Sequence, residues 1–135
     1  MQRRVFIGRT MLTVTALAGA GLAAGPGQAA TVAFNEAAFK AAQLAGKPIM
    51  VAVHASWCPI CAKQKPILSE LMASPQFKDV TLMMVDFDSQ KDICRQFGVQ
   101  KQSTLIAFHG GAERDRSTGI TDPDAIKALL LKTEV

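Results

Sequence analysis

Two cysteines three residues apart lie in the run Ser56-Trp57-Cys58-Pro59-Ile60-Cys61, directly after the apolar stretch Pro48 to His54. Thiols at that spacing can do redox chemistry. If the apolar stretch is a buried strand and Pro59 opens a helix, the first sulfur sits at a helix N-terminus, where unpaired backbone N–H groups and the helix dipole favour a thiolate. Cys61 follows one turn later, within reach. The pair then works as a dithiol in which Cys58 attacks a disulfide and Cys61 resolves the mixed disulfide by closing on Cys58. A metal site competes with this reading, taking copper or zinc through Cys58, Cys61 and His54. Such a site needs about four ligands, and beyond the pair only Cys94, His54 and His109 are available, scattered along the chain. A permanent structural disulfide is a poor third option, because so small a loop restricts the unfolded chain little.

The elements that must position the pair can be read from the surrounding pattern. Pro48-Ile49-Met50-Val51-Ala52-Val53-His54 is a continuous apolar run of the kind a strand buried on both faces shows. A helix begins near Pro59, a residue suited to a first turn, and Pro66 is expected to kink it. Before the strand, Asn35 is a suitable N-cap for a helix to about Leu44, with Gly46 as its stop. After the helix come a second buried strand, Val80 to Phe87, and a helix from Asp88 to Phe97 closed by Gly98. Thr104 to Phe108, the turn His109-Gly110-Gly111 and Glu113 to Thr118 form a hairpin. A last helix starts at Asp122-Pro123-Asp124 and carries Ile126, Leu129 and Leu130 on one face. A short strand at Thr31 to Phe34 completes an α/β layer arrangement with parallel strands first and an antiparallel hairpin last.

The chain has 135 residues, 49% hydrophobic and 19% charged, enough for one compact domain and a short appendage. That composition excludes a disordered protein. No charge occurs between Arg9 and Glu36, and the first residues have the layout of an export signal: basic Arg3, Arg4 and Arg9, an uncharged stretch from Met11 to Ala24, then small residues around Ala29-Ala30. The adjacent Arg3-Arg4 matches a twin-arginine signal, cleaved after Ala29, so that residues 1–29 are the signal and residues 30–135 the mature domain. The destination expected is the bacterial periplasm. Of fifteen basic residues three leave with the signal, so twelve then face eleven acidic ones. That near-neutral balance removes the main support for a nucleic-acid partner.

With these pieces in order, the mature chain resembles the thioredoxin superfamily over nearly its whole length. The resemblance rests on the strand Ile49 to Val53, Trp57-Cys58-x-x-Cys61, Pro66 five residues later, Phe97-Gly98-Val99, and Thr104 to Phe108 followed by Gly110-Gly111. It implies a three-layer α/β/α fold around a central mixed sheet of four to five strands. It also implies a thiol:disulfide oxidoreductase with no cofactor beyond the Cys58-Cys61 disulfide; the signal makes it an exported one, and the mature domain is large enough to stand alone as a monomer. Cysteine-containing proteins would dock at Trp57, Pro59, Ile60, Ser103 and Thr104, and a membrane thiol reductase would supply electrons. The runner-up is a non-catalytic metal-binding module on the same fold.

Two positions depart from the family pattern. Ser103 stands where relatives carry a cis-proline, and a cis bond before serine costs several kcal/mol, so Gln102-Ser103 is expected trans. Ala52 stands where thioredoxins proper have a buried aspartate that assists proton transfer to and from the second cysteine. Pro59-Ile60 contains no histidine to stabilise the Cys58 thiolate, which points to an intermediate to reducing potential. Cys94 falls beside the apolar stripe of its helix and is expected in the core. Met83 and Met84, adjacent on a strand, are expected to point to opposite faces as packing residues rather than as copper ligands.

Overall fold

The computed structural model describes residues 29–135. The expected signal, with Arg3-Arg4 and the stretch Met11 to Ala24, lies outside the described residues except for Ala29. In chain order the elements are β1 (Ala30–Ala33), α1 (Glu36–Leu44), β2 (Pro48–His54), α2 (Pro59–Ala73), β3 (Thr81–Asp86), α3 (Lys91–Gln96), β4 (Thr104–His109), β5 (Ala112–Thr118) and α4 (Pro123–Leu131). Short 3-10 turns follow α2 and α4. The strands form one sheet in the order β1-β3-β2-β4-β5, parallel between β1, β3 and β2 and antiparallel from β2 onward. This is the expected mixed sheet, with five strands.

Alternation along the central strands divides the core in two. Met50, Ala52, Leu82, Leu105 and Ala107 meet Leu68 and Met72 of α2 and Ile126, Leu129 and Leu130 of α4. Ile49, Val51, Val53, Met83, Val85, Ile106 and Phe108 meet Phe39 of α1 and Cys94 of α3. Each fully buried aliphatic side chain here contributes roughly 1.5–3 kcal/mol. On the second face Phe34, Phe39, Phe97 and Phe108 pack with ring centroids 5.2 to 5.8 Å apart. Met83 and Met84 do separate to the two faces.

The helix termini follow their capping chemistry. Asn35 Oδ1 accepts from Ala38 N–H at 3.0 Å and Asp122 Oδ2 from Ala125 N–H at 2.9 Å, one orphan donor satisfied in each case. Helix α2 continues past Pro66, so the expected kink does not interrupt it. Helix α3 is shorter than the expected Asp88 to Phe97. The Asp86 carboxylate accepts from the N–H groups of Asp88 and Ser89, at 2.9 and 3.0 Å, and that side-chain-stabilised turn postpones the helix to Lys91. At the hairpin, Gly110 has φ +56 and its N–H donates to Lys47 O at 2.9 Å. A Cβ there would stand 3.2 Å from Gly46 Cα, so the close approach itself requires glycine.

Candidate active site

Strand β2 ends at His54, and three residues carry the chain out and back so that Cys58 becomes the N-cap of α2. Cys58 is extended, with φ −87 and ψ 115; its N–H donates to Ala55 O at 3.2 Å and its Sγ accepts from Cys61 N–H at 3.2 Å. Pro59 takes the first helical position, where no N–H is needed. The sulfur therefore occupies the place an N-cap oxygen usually fills, at the positive end of a 15-residue helix.

The two thiols are made unequal by their surroundings. Burial pushes the Cys58 thiol up, but hydrogen bonds from the Cys61 thiol, from the Cys61 and Ile60 backbone and from the Gln102 side chain outweigh it, leaving Cys58 below the ordinary thiol range. Burial pushes the Cys61 thiol up as well, and the hydrogen bond to Cys58 with the charge on that sulfur adds to the rise; backbone contacts with Ala55 and Ser103 oppose it without reversing it. Near neutral pH the first sulfur is the better thiolate and the second holds its proton. That is the order of events that attack by Cys58 and resolution by Cys61 require.

Around the pair the surface is apolar and accessible. Cys58 is only 3% exposed and Cys61 8%, whereas Trp57 is 56% and Ile60 40% exposed, with Pro59 exposed between the cysteines. The Trp57 indole is anchored by Nε1–H donating to Asp88 Oδ2 at 2.8 Å.

Ser103 and Thr104 sit differently. Each is 3% exposed, so their side chains are not part of the accessible surface. Among the described residues no peptide bond is cis, as expected for Gln102-Ser103, and Ser103 is instead the one non-glycine residue with positive φ, at +60. Its N–H donates to Val53 O at 2.8 Å, its carbonyl accepts from Gly119 N–H at 3.0 Å, and its Oγ–H donates to Gln102 O at 2.5 Å. The Thr104 hydroxyl donates to Lys101 O at 2.8 Å and lies 2.9 Å from the Thr118 hydroxyl. The loop reaches the cysteines through the Ser103 backbone and the Gln102 side chain.

Ala52 is buried between Leu105 on β4 and Met84 on β3. It lines a cavity of about 550 Å³ that also touches Cys58, Cys61, His54, Gln64 and Lys65. Among the described residues no carboxylate borders that space. His54 pairs in register with Asp86, whose carboxyl is held low first by the N–H groups of Ser89 and Asp88 and to a lesser degree by the His54 charge. Among the described residues no three His, Cys, Asp or Glu side chains gather as a metal-holding group. Cys58, Cys61 and His54 do not form such a group. Cys94 is 4% exposed among the phenylalanines of the second face, where burial pushes its thiol up. It takes no part in the site.

Three residues that touch this site escaped sequence reasoning. Asp88 and Gln102 lie in loops where nothing in the local pattern marks a partner, and Gln64 interrupts the apolar face of α2, which was the one available signal.

A family model for thioredoxin matches residues 30–132. The chain is similar to the thioredoxin of Alicyclobacillus acidocaldarius, 31% identical over 101 residues that cover 75% of this chain and 95% of that protein. It is also similar to the thioredoxin of Chlamydia muridarum, 36% identical over 84 residues, 62% of this chain and 80% of the relative. Among solved structures, Trxlp from Edwardsiella tarda superposes with a TM-score of 0.72 at 42% identity, over 74% of this chain and 97% of that one.

Proposed function

The chain belongs to the thioredoxin family and is a thiol:disulfide oxidoreductase, and from that premise we propose that it exchanges disulfides with cysteine-containing proteins in the bacterial periplasm, on the reducing side. The inequality of Cys58 and Cys61 carries the reading of the site. In the proposed cycle the Cys58 thiolate attacks a client disulfide, the client S–S bond breaks, and one client sulfur leaves as a thiolate that takes up a proton. Cys61 then gives up its proton and attacks Cys58 Sγ. The new Cys58-Cys61 bond forms as the second client thiolate departs, so two electrons pass to the client and the protein is oxidised.

The export assignment rests on Arg3-Arg4 and the uncharged stretch Met11 to Ala24. The reducing direction rests on Pro59-Ile60, which adds no cation beside Cys58. Such a reductant needs its own electrons, and a membrane thiol reductase is the partner class that supplies them in an oxidising compartment.

Cys61→Ser in the full chain tests both parts of the proposal. With no resolving thiol, dithiothreitol-sensitive adducts between Cys58 and client proteins should accumulate on non-reducing gels and fractionate with the periplasm. Absence of adducts contradicts exchange with protein clients. Adducts confined to the cytosol contradict the export assignment alone.

A further inference from the structure

Gln64 lies on α2 three residues after Cys61, on the same face of the helix. It is 3% exposed, in a helix whose neighbouring inward positions, Leu68 and Met72, are apolar. An amide buried there is costly unless it is bonded, by about 1–3 kcal/mol. Its Nε2 donates to Ile120 O at 2.8 Å and to Ser103 O at 3.2 Å, so both amide hydrogens go to backbone carbonyls far away in sequence. The Ser103 carbonyl also accepts from Gly119 N–H at 3.0 Å.

Those carbonyls belong to two turns with positive φ. Gly119, with φ +80, adopts this freely, but Ser103, with φ +60, holds a conformation that its own local preference disfavours. Ser103 N–H donates to Val53 O at 2.8 Å, which seats its loop against the strand end that leads into the cysteines. The Ser103 backbone and Gln102 side chain act on the Cys61 and Cys58 thiols respectively. Gln64 is the α2 side chain that donates to the carbonyls of both turns.

We propose that Gln64 is a positioning residue for the dithiol: by clasping the Ser103 and Ile120 carbonyls it holds residues 102–103 against the cysteines, and so sets the reactivity of Cys58 without touching either sulfur. This rests on the oxidoreductase reading and deepens it. The clasp ties the helix that carries the cysteines to the loop that tunes them, adding a side-chain tether to the backbone bond between Ser103 N–H and Val53 O. The other titratable groups around the pair, His54 at the end of β2 and Lys65 on α2, are left in place when Gln64 is changed.

The test is the ultraviolet titration of the Cys58 thiolate, with disulfide exchange measured on the same samples, in the wild type, Gln64→Met, Gln102→Leu and the double variant. Methionine keeps the shape and removes both donors. In Gln64→Met the Cys58 pKa should rise as residues 102–103 are released from the cysteines. Below that pKa the thiolate share then falls and disulfide exchange slows, by less than the thiolate loss because intrinsic nucleophilicity rises with pKa. Gln102→Leu should shift the titration similarly, and Gln64→Met should add nothing in that background. If Gln64→Met does not fold, Gln64→Asn, which keeps an amide but is too short to span both carbonyls, carries the same comparison. A folded Gln64 variant whose Cys58 titration overlays the wild type overturns the inference, as does an equal shift with and without Gln102. A wild-type protein that exchanges no disulfides overturns the oxidoreductase reading instead.

Discussion

Cys58→Ser is expected to abolish disulfide exchange and leave the fold in place. A serine oxygen cannot form the mixed disulfide, so no slower version of the same route remains. The fold survives because serine is among the best N-cap residues: its Oγ can accept the Cys61 N–H that Cys58 Sγ accepts now at 3.2 Å. The melting temperature should stay within a few degrees of the wild type while reduction of a model disulfide by dithiothreitol falls to the rate without protein. The other thiols cannot substitute. Cys61 is held protonated and buried, and Cys94 lies in the second core with the phenylalanines. Residual catalysis in Cys58→Ser would mean that Cys61 attacks clients directly, and the assigned order of the sulfurs would be wrong.

Ser103→Pro carries the largest expected cost in stability. Proline fixes φ near −65°, whereas Ser103 holds +60. It also removes the N–H that reaches Val53 O at 2.8 Å, leaving a buried carbonyl on the central strand without that donor. The lost bond alone costs about 1–3 kcal/mol, and the backbone conflict raises the total to roughly 3–5 kcal/mol, within the range of interior proline substitutions. In urea the unfolding midpoint should drop with an unchanged slope. Ser103→Gly, which relieves the left-handed backbone, should hold or raise that midpoint. A Ser103→Pro protein as stable as the wild type would show that the loop accepts a second backbone path beside the cysteines.

The fold was legible in the sequence wherever one residue does one local job. Asn35 and Asp122 cap helices, Pro59 and Pro123 open them, and the runs from Pro48 and Val80 are too apolar for any but central strands. The dithiol was legible for the same reason, since cap position and helix spacing follow from Cys58-Pro59-Ile60-Cys61 alone. What escaped depends on partners distant in the chain. The late start of the helix expected from Asp88 turns on where the Asp86 carboxylate points, and the Trp57 anchor on an aspartate 31 residues away. Gln64 meets its carbonyls 39 and 56 residues away, across two turns whose positive φ no composition signal announces. Ser103 shows both sides of this. Its trans bond followed from the cost of a cis serine, while its burial and left-handed backbone are set by Val53, Gly119 and Gln64 together.

The central claim is that Cys58 and Cys61 form one reversible redox couple. An equilibrium titration of the purified mature domain in glutathione and dithiothreitol buffers, read by thiol trapping, tests it most directly. The account predicts a single two-electron transition at or below about −200 mV, lost in both Cys58→Ser and Cys61→Ser and kept in Cys94→Ala. A domain that shows no reversible couple between these two cysteines would contradict it.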